Sequence, residues 1–289
     1  MQDQQKTAMI RRMAKLIINA DDLGAGNETD RAIFETFDSG VVTSASLLVN
    51  GPSARSAAAT VRQRNLPVGV HLNLSEGSPL TGPIEGLTEA NGRFAGKRKT
   101  RQKLQSHTYD RDALQREIKA QVQAALDWGL TPDHLDSHQH VFLYPDVTRA
   151  TIEAARVFDI KAVRLPRPYN ILKNTPPSDI QGDLRLYQQL SGDAETLIKG
   201  AGLACPQGLL GLDCLNRLSV ELLVTLLTAV PEHGDWELMV HPGHLDPDNP
   251  FSGLEREAEC KALTAEKISA LIRALNIELI TFGDLPCAS

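Results

Sequence analysis

Lys15-Leu16-Ile17-Ile18-Asn19-Ala20-Asp21-Asp22 is a short, nearly continuous apolar run that stops on two adjacent carboxylates. Apolar residues without polar alternation predict a strand buried on both faces, and such strands belong to parallel sheets covered by helices. The ending matters as much as the run. Two neighbouring carboxylates at a strand end repel each other unless a proton or a cation offsets one of them, and a cation is the simpler answer.

Runs of the same character recur over 42–49, 68–74, 134–137, 162–165, 238–241 and 278–282. Helical patterns lie between them, over about 28–37, 54–64, 112–128, 145–158, 219–230 and 265–275. The clearest is 112–128, where Leu114, Ile118, Val122, Ala125 and Leu126 form one apolar stripe and Gly129 follows as a stop. Seven strands alternating with about as many helices predict an α/β fold of βα repeats, with a mainly parallel sheet closing into a barrel. A dinucleotide fold is excluded: Gly24-Ala25-Gly26 follows the first strand, but no third glycine stands at the required spacing. Neither a GxSxG elbow nor a P-loop occurs.

Residues 1–14 are expected to be a polar tail, and 15–286 a single barrel domain. Two segments interrupt the βα rhythm. The stretch 75–109 is rich in glycine and proline, and the second, 166–183, contains Pro168, Asn170, Pro176 and Pro177. Loops of this length in a compact domain are usually lids or binding loops; both leave strand ends on the same face and so should shape the pocket. Within the first, five cations in the seven positions Lys97-Arg98-Lys99-Thr100-Arg101-Gln102-Lys103 are expected to form a solvated loop rather than an anion-binding patch.

With 289 residues and 42% hydrophobic content the chain can bury a large core, while a net charge of −6 and a pI near 5.8 provide no basic field for nucleic acid. Cys205, Cys214, Cys260 and Cys287 show no CxxC pairing and are expected to be reduced. The first apolar run is broken by Asp21-Asp22 before it could act as a signal core, and no stretch approaches the length of a membrane span. The expectation is a cytoplasmic protein, with a homodimer as a fair prior.

Chemistry-bearing residues cluster at four strand ends: Asp21-Asp22, His71-Leu72-Asn73-Leu74, Asp136-Ser137-His138-Gln139-His140 and His241-Pro242-Gly243-His244. One histidine alone is more often a surface or satisfied core residue than a ligand. Strand ends of a barrel converge on one mouth, however, so together these residues can surround one ion, as in a metal-dependent hydrolase. Asp136 suits a carboxylate partner for a histidine, or equally a turn cap. Arg164 and Arg167 could bind sugar hydroxyls or a phosphate, or form ordinary ion pairs. Trp128 and Trp236 fall on helix and strand patterns and are expected in the core.

These motifs in this order resemble the YdjC-like (ChbG/HpnK-type) carbohydrate deacetylase family. The resemblance runs from about Lys15 to Leu285 and rests on Asn19-Ala20-Asp21-Asp22-Leu23-Gly24, Gly69-Val70-His71-Leu72-Asn73-Leu74 with Glu76-Gly77, His134-Leu135-Asp136-Ser137-His138-Gln139-His140, Arg164-Leu165-Pro166 and His241-Pro242-Gly243. It implies an irregular (β/α) barrel holding one divalent ion through Asp22, His71 and His138, with Asp21 as general base and His241 as general acid. Asp136, His140, Arg164 and Asn73 are then candidates for supporting or substrate-binding roles. The chain departs from the family pattern at Leu23, where phenylalanine is usual, and at Gln139 and Phe142, where the family has a histidine-rich run. The implied reaction is removal of an N-acetyl group from an amino sugar of the N-acetylglucosamine type, releasing acetate.

Alternatives remain at this level. The same Asp/His/His set would serve an amidase or phosphoesterase on a non-sugar substrate, and a non-catalytic sugar-binding protein on an inherited fold is a third reading. The ion is expected to be Mg²⁺ or Zn²⁺: a carboxylate favours the first, two imidazoles the second.

Overall fold

The computed structural model describes residues 14–169, 178–247, 249 and 252–286. Its centre is one parallel sheet formed by β1 (Lys15–Leu23), β2 (Ser44–Leu47), β3 (Val68–Leu72), β4 (His134–Ser137), β5 (Ala162–Val163), β6 (Leu209–Leu210), β7 (Asp235–Val240) and β8 (Glu278–Leu279). The spatial order is β5-β4-β3-β2-β1-β7-β6, with β8 also paired to β1 at Lys15 and Leu16. Beyond β5 and β6 the two sheet ends meet through irregular backbone. Val163 N–H donates to Ala204 O and Ala204 N–H to Lys161 O, both at 2.9 Å; Tyr169 N–H then donates to Leu209 O at 3.0 Å. The result is a curled, irregular α/β barrel, with eight strands among the described residues where seven were expected. The extra one, β6, is two residues long, too short to carry any periodicity of its own.

Six helices lie where the apolar periodicity places them: α1 (Asn27–Asp38), α2 (Ala54–Arg64), α4 (Arg111–Asp127), α5 (Pro145–Val157), α7 (Val220–Thr228) and α9 (Glu266–Ala274). α4 starts where the Asp110 carboxylate accepts Ala113 N–H, and its buried stripe includes Leu114, Ile118, Val122 and Ala125. Three helices were not anticipated: α3 (Lys97–Ser106), α6 (Gln181–Gly200) and α8 (Leu254–Leu263).

The basic run is therefore helical rather than a solvated loop. Lys97 and Arg101 on α3 both reach Asp183 of α6 at 2.6 Å, and Lys103 and Lys99 stand 3.3 and 3.7 Å from Glu89. The glycine-rich insertion before it is also fixed from within. Glu117, fully buried on α4, accepts the N–H groups of Leu80 and Thr81 and the Thr81 hydroxyl, at 2.8–2.9 Å. At Gly86, with φ +75°, an added Cβ would lie 2.0 Å from Thr108 O, so only glycine lets these two strands of loop touch.

Cys205, Cys214 and Cys260 are free thiols; Cys287 and residues 170–177, including Asn170, Pro176 and Pro177, lie outside the described residues. Trp128 and Trp236 are partly buried against the core, as expected. Among the described residues no helix is long and apolar enough to cross a membrane.

Candidate active site

In an unbroken strand, neighbouring side chains point to opposite faces. β1 escapes this rule at its end. Its register with β2 slips between Ala20 and Leu23, and Asp22 takes a left-handed backbone at φ +67°. That conformation costs a non-glycine residue about 1–2 kcal/mol, and aspartate tolerates it better than most. The bulge brings both carboxylates to the same barrel mouth, which alternation forbids.

Three more strands complete the mouth. His71 ends on β3, His138 follows β4, and His241 follows β7. His138 Nδ1 lies 2.9 Å and His71 Nε2 3.5 Å from Asp22 Oδ1. That oxygen is buried, with both imidazoles beside it. Asp22, His71 and His138 each offer one ligand atom, all within 4.8 Å of one another. The other nitrogen of His71, Nδ1, is held at 2.8 Å by Asp136 Oδ1, which leaves Nε2 aimed at the aspartates.

Beneath this cluster lies Arg164, just past β5 and without solvent exposure. Its guanidinium donates to both oxygens of Asp21 at 2.6 Å and to Glu237 Oε1 of β7 at 2.8 Å, and forms an ion pair with Asp136 Oδ2 at 2.7 Å. Asn19 adds a 2.8 Å hydrogen bond to Asp21 Oδ1. Burial opposes ionisation of Asp21, but Arg164 and His71 outweigh it and hold its pKa below the usual carboxylate range. Asp22 is likewise held well down against burial, chiefly by His138. Burial leaves Glu237 raised to about 7 in spite of Arg164. Three carboxylates, of Asp21, Asp136 and Glu237, thus surround one guanidinium, and the excess negative charge attracts a cation or a proton. Against the opposing effect of burial, Asp136 and Asp21 raise His71 to about 9.

His241 faces Asp21 from β7, with Nε2 3.8 Å from Oδ2. Its backbone N–H donates to Glu259 Oε1 of α8 at 2.7 Å. Burial and the Arg256 guanidinium push the His241 imidazole down to about 3. Two cavities meet at Asp22 and His138. One, of about 500 Å³, is lined by Asn27, Asn50, Asn73, Glu76 and Arg93. The other, of about 330 Å³, contains Asp21, His71 and His241 beside Leu184, Leu212 and Met239.

Residues 15–274 match the family model described as YdjC-like protein. The chain belongs to the YdjC-like family. Its relatives include a human protein named carbohydrate deacetylase, 30% identical over 96% of this chain and 93% of that one. A Brevibacillus brevis carbohydrate deacetylase is also 30% identical, over 94% and 99% of the two chains. Among solved structures, a candidate cellobiose-phosphate cleavage protein of Enterococcus faecalis V583 superposes with a TM-score of 0.72. It is 24% identical, covers 93% and 98% of the two chains, and shares the fold.

In this YdjC-like chain the barrel mouth gathers Asp21, Asp22, His71, Asp136, His138 and His241 from the strand-end motifs, with Arg164 below them. Arg164 has no exposure, and its guanidinium is directed at carboxylates, Asp21 among them. Arg167 is paired with Glu195. Asn73 lines the larger cavity while its Oδ1 accepts the N–H groups of Ser75 and Glu76, a local turn. His140 is buried against Tyr187, ring centroids 4.9 Å apart, and lines the smaller cavity outside the ligand cluster. His244 turns away to Glu35. Glu237, Arg256 and Glu259 were missed in the sequence; the one available signal was Glu237, a charge inside the apolar run of β7.

Proposed function

We propose that this protein is a metal-dependent hydrolase that removes the N-acetyl group from an amino sugar. The observation that carries the reading is the convergence of Asp22, His71 and His138, whose buried ligand atoms lie within 4.8 Å of one another, with Asp21 and His241 alongside. The donor set fits a divalent ion: one carboxylate and two imidazoles leave positions for water and substrate, as a catalytic site requires. When bound, such an ion supplies Lewis acidity, polarising an amide carbonyl and acidifying a water.

The chain's own residues supply the proton traffic. Asp21 Oδ2, facing both His71 and His241, is placed to take the water's proton, and Arg164 fixes the carboxylate in that orientation. His241 rests neutral in this setting and needs a proton before it can give one. The proton held at Asp21, 3.8 Å from Nε2, is the nearest source, and the leaving nitrogen is its destination. Without protonation an amine departs poorly. The amides and carboxylates lining the larger cavity suit sugar hydroxyls, whereas the apolar wall of the smaller one suits an acyl methyl.

The family names of the relatives, carbohydrate deacetylases, narrow the acyl substrate to a sugar. The test is acetate release by the purified protein, supplied with Mg²⁺ or Zn²⁺, from a panel of N-acetylated sugars and short oligosaccharides with phosphoesters alongside. Acetate from at least one amino sugar is expected. Phosphate release without acetate would replace this reading by a phosphoesterase.

A further inference from the structure

On the outer side of the loop that carries His241, three metal-binding donors from three elements meet. Glu35 stands on α1, His244 on the loop after β7, and Cys260 on α8. His244 Nε2 is 2.9 Å and Cys260 Sγ 4.0 Å from Glu35 Oε2, and all three ligand atoms lie within 4.8 Å of one another. We propose that Glu35, His244 and Cys260 form a second divalent-cation site, suited to Zn²⁺, that fastens the His241 loop to α1 and α8.

The donor types select the ion. A thiolate with an imidazole and a carboxylate suits Zn²⁺ and disfavours Mg²⁺ or Ca²⁺, which take oxygen ligands. The spacing is close to what the ion needs. Zinc bonds of about 2.0–2.3 Å at tetrahedral angles separate neighbouring donor atoms by about 3.4–3.6 Å. The observed 2.9 and 4.0 Å lie on either side of that range. Adjusting the Glu35 side chain, 46% exposed and free to change rotamer, corrects both.

The other two donors are already fixed. His244 N–H donates to Glu28 O of α1 at 3.2 Å, and its carbonyl accepts the Ser252 hydroxyl, so the backbone is held on both sides of the ring. Cys260 is buried at the bottom of the cluster, while His244 and Glu35 form an exposed rim through which an ion can enter. Binding exchanges one bond for another: the Cys260 S–H bond breaks, its proton goes to solvent, and a sulfur–metal bond forms. Burial and the nearby Glu35 keep that thiol protonated, raised to about 11, so affinity should climb with pH. The proposed catalytic ligands Asp22, His71 and His138 contain no sulfur, so this site has its own optical signature.

Cobalt(II) titration of the whole protein, followed by thiolate-to-cobalt charge-transfer absorption in the near ultraviolet, tests the proposal. A band with the intensity of one thiolate–cobalt site is expected in the wild type and in His138→Ala, and none in Cys260→Ser. Because Cys260 is buried, the rim variants Glu35→Gln and His244→Ala provide a second measure, each expected to weaken cobalt binding on the order of tenfold or more. Absence of a band, a band that survives Cys260→Ser, or unchanged affinity in both rim variants would overturn the site.

Discussion

Arg164 grips Asp21 at both carboxylate oxygens, Nη1 to Oδ2 and Nη2 to Oδ1, each at 2.6 Å, and neither residue is more than 2% exposed. A planar fork matched to a carboxylate fixes direction as well as charge, which a lysine cannot do. Arg164→Lys should therefore lower kcat by about 10- to 100-fold with KM little changed, because Asp21 is left free to turn. Asp21→Asn should lose about 10²- to 10⁴-fold in kcat while retaining most of the bound metal. Elemental analysis beside steady-state kinetics checks both; metal loss in Asp21→Asn with retention in Asp22→Asn would exchange the roles of the two aspartates.

His71 Nδ1 is tied to Asp136, and the ring can present Nε2 to a cation only while that bond holds. His71→Ala and His138→Ala should lose metal and activity together with the fold intact. Asp136→Asn should weaken metal affinity by about 10- to 100-fold, the usual effect of removing a carboxylate behind a ligating imidazole. Full metal occupancy in both alanine variants would refute the ligand assignment.

The insertion between β3 and α4 is pinned by Glu117 and braced by the contacts of α3 with Asp183. Shortening it between Gly82 and Gly96 removes Arg93 from the larger cavity. KM should rise, with metal content unchanged. Glu117→Ala should destabilise the protein, since it strips the Leu80 and Thr81 N–H groups of their buried acceptor. Unchanged kinetics in the shortened variant would remove this segment from substrate binding.

Glu259 provides a pH test outside the Asp22, His71 and His138 cluster. Buried and accepting His241 N–H, it is raised to about 7, above its ordinary 4.5. The folded state then binds more protons than the unfolded one between these values, so this group's contribution is present at low pH and is lost as pH rises through 7. Glu259→Gln keeps the acceptor for His241 and removes the titration. Between pH 4.5 and 7 wild-type stability should decline relative to the variant, by on the order of 3 kcal/mol at most. Parallel stability curves from denaturant unfolding would contradict this.

The long strands and the six periodic helices were legible because burial imposes a repeat on many residues at once. The two-residue strand β6 was not, and α6 was obscured by the proline-rich segment before it, although Leu184, Tyr187, Ala194 and Ile198 mark its buried face. At the site, the histidines and aspartates were visible because each ends an apolar run. The work of Arg164 was hidden: its partners Asp21, Asp136 and Glu237 come from three other strands, and only the assembled barrel brings them within 3 Å. The basic run 97–103 looked like a solvated loop because its counter-charges, Glu89 and Asp183, lie outside it.

The central claim is that one ion held by Asp22, His71 and His138 is required for release of acetate. Metal-stripped protein, titrated with Zn²⁺ or Mg²⁺ while acetate release from an N-acetylated amino sugar is followed, tests it most directly. The account predicts negligible turnover without metal and activity that rises with occupancy of the wild-type site, with none recovered in His138→Ala at the same ion concentrations. Full acetate release by the metal-free protein, or by His138→Ala, would contradict it.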